Sequence, residues 1–185
     1  MKQATFQKLN TLLFFVTALA SYQGALRGIP WLGLIFFGLL VAVLLPMTEQ
    51  KSARLFVALA VAAVGFGTDS ALGFFQVYRV REEARWLLPA PFCPEWILAL
   101  WLNFGFMLYF FWRLLNRNVL TAVTVGVCFS FLIYGNAARM GLLALRPPTV
   151  ASLGTIAVLW AILIPLFTRC AVWRFAGGPH VGSKE

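Results

Sequence analysis

The sequence predicts an all-α membrane protein, a polytopic transmembrane bundle of about six helices, on three observations. First, 61% of its 185 residues are hydrophobic and only 11% are charged, whereas soluble domains are about half apolar and a quarter charged. Mean hydropathy is +0.84, and a soluble fold could not hide that much apolar surface. Second, the apolar residues come in runs near the 20 residues that one spanning helix needs. Third, the basic residues stand at the edges of those runs, where they anchor to headgroups and set orientation.

Reading apolar runs against turn signals places helices at 9–26, 31–47, 54–77, 95–115, 119–145 and 151–174. Each break has its own chemistry. Arg27-Gly28-Ile29-Pro30 separates the first two, Thr48 to Ser52 the next, and Tyr78 to Pro94 forms the longest loop. Asn116 to Asn118 and Arg146-Pro147-Pro148 make the last two turns. One transmembrane domain, 1–175, is thereby predicted, followed by a polar, Gly-rich tail at 176–185 that reads as disordered. Lys2 and Lys8 before the run Leu12 to Ala20 mimic a signal peptide, and the segment is read as an uncleaved first helix.

Lys2, Lys8, Lys51, Arg54, Arg113, Arg117, Arg169, Arg174 and Lys184 fall on one side of such a bundle. Arg27, Arg79, Arg81, Arg85 and Arg146 fall on the other. Because Lys and Arg in short loops are retained in the cytoplasm, both termini are predicted cytoplasmic. A bacterial inner membrane, crossed several times, is the expected location. The formal charge of +9 is scattered in singles and pairs, not gathered into the basic stripe that phosphate backbones require, which argues against nucleic acid as a partner. Membrane lipids, and other integral membrane subunits, are the partners expected instead. Trp31, Trp86 and Trp96, with Tyr78, read as anchors at the outer interface, and Trp112 and Trp173 at the inner one.

Among the acidic residues only Asp69 falls well inside an apolar run. A carboxylate there is costly and needs a partner. Gly65 and Gly73 lie one turn to either side, the small-residue spacing of close helix contact, so Asp69 should face protein. The expected partner is Arg139, in Tyr134-Gly135-Asn136-Ala137-Ala138-Arg139. At 1.5 Å per residue Asp69 lies roughly 12 Å below its helix end at Val77, Arg139 roughly 10 Å below Arg146, and Asn103 roughly 12 Å below Glu95. A polar layer of Asp69, Asn103, Tyr134, Asn136 and Arg139 is therefore predicted, built on an intramembrane ion pair. It reads equally as a structural pin between helices or as a ligand-binding pocket or relay.

Catalytic chemistry finds little support. The single histidine, His180, is in the tail, so no His-based dyad or histidine metal cluster can form in the membrane. Asp69 is a lone carboxylate, and Ser70, Ser130 and Thr68 have no base beside them. Cys93, Cys128 and Cys170 lack metal-ligand spacing and read as small apolar residues. No catalytic residue, metal or cofactor is expected. Pro165 should kink the sixth helix.

Four stretches carry a resemblance to a known family: Gly67-Thr68-Asp69-Ser70; Pro94-Glu95-Trp96 with Leu100-Trp101-Leu102-Asn103-Phe104; Tyr134 to Gly141; and Leu159-Trp160-Ala161-Ile162-Leu163-Ile164-Pro165. In that order they resemble a bacterial family of small inner-membrane proteins classed as domain of unknown function 2878. The chain departs from its pattern at Ser21-Tyr22-Gln23, where a tryptophan is expected. The resemblance implies a compact bundle, and some relatives look like accessories to envelope-lipid or fatty-acyl metabolism. Three functions are thus in view: a non-catalytic accessory factor or subunit of a membrane complex, a small carrier or lipid-binding module using the polar layer, and a membrane-embedded enzyme acting on acyl chains.

Overall fold

A computed structural model describes residues 3–176. Six helices follow in order: α1 (Gln3–Leu26), α2 (Leu32–Leu44), α3 (Lys51–Phe74), α4 (Glu95–Leu115), α5 (Val119–Arg139) and α6 (Thr149–Ala176). All but α2 are long and apolar enough to cross a membrane. The 13 residues of α2 reach only about 20 Å at 1.5 Å per residue, short of a hydrocarbon core of roughly 30 Å. The predicted run 31–47 is trimmed at its far end because Pro46 lacks the N–H that would carry the helix onward. The predicted tail lies outside the described residues, except that Ala176 closes α6.

The middle helix is α4, which packs on α1, α2, α3 and α6, while α5 leans on α6. Close approach is secured by small residues. A Cβ added at Gly105 would meet the Ala58 Cα of α3 at 2.8 Å, so the α3/α4 contact depends on the missing side chain. Large apolar side chains such as Leu12, Phe15, Leu59 and Ile162 point outward, as expected when the solvent is hydrocarbon. Pro165 is accommodated inside the 28-residue α6.

The structure corrects the predicted end of the fifth helix. In place of a helix to Leu145, the chain leaves α5 at Arg139 and forms a strand, β2 (Leu143–Leu145), antiparallel to β1 (Tyr78–Val80), with Tyr78 opposite Leu145 and Val80 opposite Leu143. Both strands are launched by the same device. After α3 the chain turns through Gln76 at φ 55°, and Val77 N–H bonds the Leu72 carbonyl at 2.9 Å. After α5 it turns through Gly141 at φ 72°, and Leu142 N–H bonds the Ala137 carbonyl at 2.9 Å. These left-handed caps satisfy the last carbonyls of each helix and reverse the chain.

Gly141 takes that conformation freely, whereas a side chain with Cβ there costs about 1–2 kcal/mol. Gln76→Gly is therefore expected to raise stability by up to about 1 kcal/mol. Thermal unfolding in detergent checks it, and an unchanged or lowered midpoint would count against the assigned cap.

Candidate functional site

Asp69 lies in α3 with no solvent-exposed surface. Its Oδ1 accepts hydrogen bonds from the hydroxyls of Tyr78 and Tyr134, both at 2.6 Å, and its Oδ2 accepts from Trp101 Nε1 at 2.5 Å. Each donor arrives on a different element. Tyr78 comes from β1, Trp101 from α4, and Tyr134 from the π-helical turn Phe131–Gly135 within α5. Such an inserted residue re-aims a side chain without ending the helix. Gly65 leaves the space that Trp101 fills, since a Cβ at that position would collide with its indole.

Around the carboxylate the rings close into a cage. Trp101 stacks on Trp160 with centroids 4.7 Å apart and planes at 30°, and Tyr134 meets Trp160 edge-on at 6.2 Å. The Tyr78 phenol is pushed well above its ordinary range, first by burial and then by the neighbouring Asp69 carboxylate. It stays a donor at physiological pH.

The loop above the cage is latched. The buried Glu95 carboxylate accepts from three backbone amides, those of Trp86, Leu87 and Leu88, at 3.3, 2.6 and 2.9 Å. Cys93 N–H donates to Ser70 Oγ at 3.0 Å. Burial, followed by the nearby Asp69 charge, pushes the Cys93 thiol well up, away from thiolate character. All three cysteines are free.

The predicted ion pair is not present. Among the described residues the single salt bridge joins Arg81 to Glu83 at 3.4 Å. Arg139 is exposed as the last residue of α5, because the depth assigned to it assumed a helix running six residues further. Asn136 is also exposed. Asn103 is buried but turned toward α1, where its Nδ2 donates to the Phe14 carbonyl at 2.9 Å and its Oδ1 is left without a partner. Of the predicted layer only Asp69 and Tyr134 meet.

The tryptophan anchors divide as well. Trp86 and Trp173 are exposed, while Trp31 and Trp112 are half-buried. Trp96, in contrast, is fully buried, with its ring 5.6 Å from Tyr22, and Tyr78 serves the cage instead of an interface. Among the described residues no group of three or more His, Cys, Asp or Glu is placed to hold a metal ion.

A second polar centre lies at the opposite end of the bundle, where the sequence suggested only an edge anchor. Arg54, in the first turn of α3, is wholly buried. Its Nε donates to the Phe106 carbonyl at 3.1 Å, Nη1 to Thr48 Oγ1 at 2.8 Å and Nη2 to Asn10 Oδ1 at 2.6 Å. The guanidinium lies 3.5 Å above the Phe106 ring, and the rings of Tyr109 and Phe110 are about 5 Å away. Every partner is neutral.

On the far side of Tyr109 and Phe110 a cleft of about 740 Å³ opens. It lies between the N-terminal turn of α1, the α2–α3 turn and the last turns of α4 and α6, and Gln7, Glu49, Gln50 and Arg113 supply its polar lining. That volume is within the range of small-molecule sites, about 300–1,000 Å³.

The family model described as "Protein of unknown function (DUF2878)" matches residues 7–166. The chain belongs to that family. All four cage residues fall within the DUF2878 match, as do Arg54, Glu49 and Arg113. No curated protein and no solved structure matches the chain.

Proposed function

We propose that this multi-pass membrane protein works without a covalent step, as an accessory or binding module of a bacterial inner membrane, with both termini cytoplasmic. The observation that carries the reading is the contrast between its two polar centres. Asp69 is sealed and has three satisfied bonds, which suits a pin that holds four elements in register. It presents no surface to a ligand. The cleft at the other end is open and has charged and aromatic walls. Its level, at the ends of α4 and α6, suits a lipid headgroup, which supports a link to envelope lipid more than an acyl-chain reaction deep in the membrane.

Filling the cleft tests this. Gln7, exposed on α1, lines it, so Gln7→Trp is expected to leave folding intact and to reduce co-purifying lipid or partner by roughly tenfold, about 1.4 kcal/mol of binding. Native mass spectrometry after gentle extraction reads the result. Undiminished occupancy in the filled variant would remove the cleft as the working site.

A further inference from the structure

We infer that the cleft takes a phosphodiester headgroup bearing a primary ammonium, that of a zwitterionic phospholipid, an inference that rests on the cleft being the working site. Among the described residues its walls carry one charge of each sign. Glu49, at the α2–α3 turn, and Arg113, in the last turn of α4, both line it and both are exposed. Neither forms a salt bridge among the described residues. Two opposite charges that share a cleft without joining each other match a ligand that carries both charges itself.

The rest of the lining assigns the ends. Beside Arg113, Tyr109 lines the cleft, and its hydroxyl offers the phosphate a second donor. Behind Tyr109 and Phe110 stands the buried Arg54 cation, with no carboxylate in salt-bridge range among the described residues, which makes this side of the cleft positive. Glu49 accepts the ammonium, whose N–H groups a quaternary amine lacks. The rings of Phe6 and Phe175 pack on Phe110 and Tyr109, and the Trp112 ring lies 5.2 Å from the Arg113 guanidinium, so these rings wall the phosphate side. A purely anionic headgroup would instead set phosphate against Glu49. Phe111 and Leu114, outward-facing on the same turn of α4, continue the wall as apolar surface along which acyl chains can lie.

The test is lipid retention by the intact protein in a non-ionic detergent, with phosphatidylethanolamine, phosphatidylcholine and phosphatidylglycerol of one acyl composition, and with soluble phosphoethanolamine as competitor. Phosphatidylethanolamine should be retained on the order of tenfold better than the other two, the worth of one charge-assisted hydrogen bond. Glu49→Gln should erase its advantage over phosphatidylglycerol, and Arg113→Gln should weaken all three. Displacement by millimolar phosphoethanolamine would support recognition of the headgroup itself as free ligand, and displacement by lipid alone would support the lipid form. Equal retention of all three lipids, abolished by Gln7→Trp, would overturn the headgroup assignment while leaving the cleft as a site. Retention indifferent to Gln7→Trp would overturn both.

Discussion

Asp69→Ala is expected to lower stability by on the order of 4 kcal/mol, the largest single loss available outside the apolar core. The substitution leaves the Tyr78 and Tyr134 hydroxyls and the Trp101 N–H buried without an acceptor, and each such orphan costs about 1–3 kcal/mol. Asp69→Asn is the sharper probe because it keeps the shape. With its carbonyl toward the tyrosines, its amide faces the Trp101 donor; flipped, it satisfies Trp101 and sets two N–H groups against two hydroxyls that need an acceptor. Either way at least one buried donor is lost, for about 2 kcal/mol. Thermal unfolding in detergent, followed by tryptophan fluorescence, measures both.

A double-mutant cycle separates this cage from the ion pair expected from the sequence. Asp69→Asn combined with Arg139→Gln should be additive within about 0.5 kcal/mol, since the two side chains share no partner. Asp69→Asn with Tyr134→Phe should instead couple by on the order of 1 kcal/mol. Coupling to Arg139 as strong as to Tyr134 would refute the cage.

The sequence exposed Asp69 as the buried carboxylate because a single acidic residue stood out in an apolar run, and Gly65 and Gly73 correctly put it against protein. Its partner was misread for a geometric reason. Apolar periodicity does not distinguish three more helical residues from a three-residue strand, so Leu143-Ala144-Leu145 lengthened α5 on paper and drew Arg139 down into the bundle. Gly141 was the available signal of the helix end. The opposite cap gave less warning, because Gln76 is not a residue expected at positive φ. Tyr78 therefore read as a loop residue at the interface. A carboxylate can be satisfied by hydroxyl and indole donors as well as by a cation, and Trp101 and Tyr134 lay within the same stretches as Asn103 and Arg139. For Arg54 the sequence was silent, since an arginine in the first turn of a spanning helix looks the same whether it turns to the headgroups or inward.

Arg54→Ala is the second large loss, expected at on the order of 3 kcal/mol. The guanidinium joins three separate segments, Asn10 of α1, Thr48 of the α2–α3 turn and the Phe106 carbonyl of α4, with one nitrogen directed to each. Truncation removes three hydrogen bonds from a charged donor, and those are worth about 1.5–3 kcal/mol each before the offsetting desolvation of a buried cation is counted. Arg54→Lys isolates what geometry contributes. An ammonium keeps the charge but is a compact point that cannot lie flat on Phe106 while reaching acceptors on three segments, so it should recover less than about half of the loss. Arg54→Met keeps most of the stem volume and removes the cation. If the arginine were only a packing element, Met would match or exceed the native stability, as hydrophobic replacements of buried charges often do. The expectation here is a loss of about 2 kcal/mol, because the amide oxygen of Asn10 is left dry and the α2–α3 turn loses its tie to α1. Full stability in Arg54→Met would show that the cation is carried at no structural benefit. The charge would then belong to the cleft on the other side of Tyr109 and Phe110.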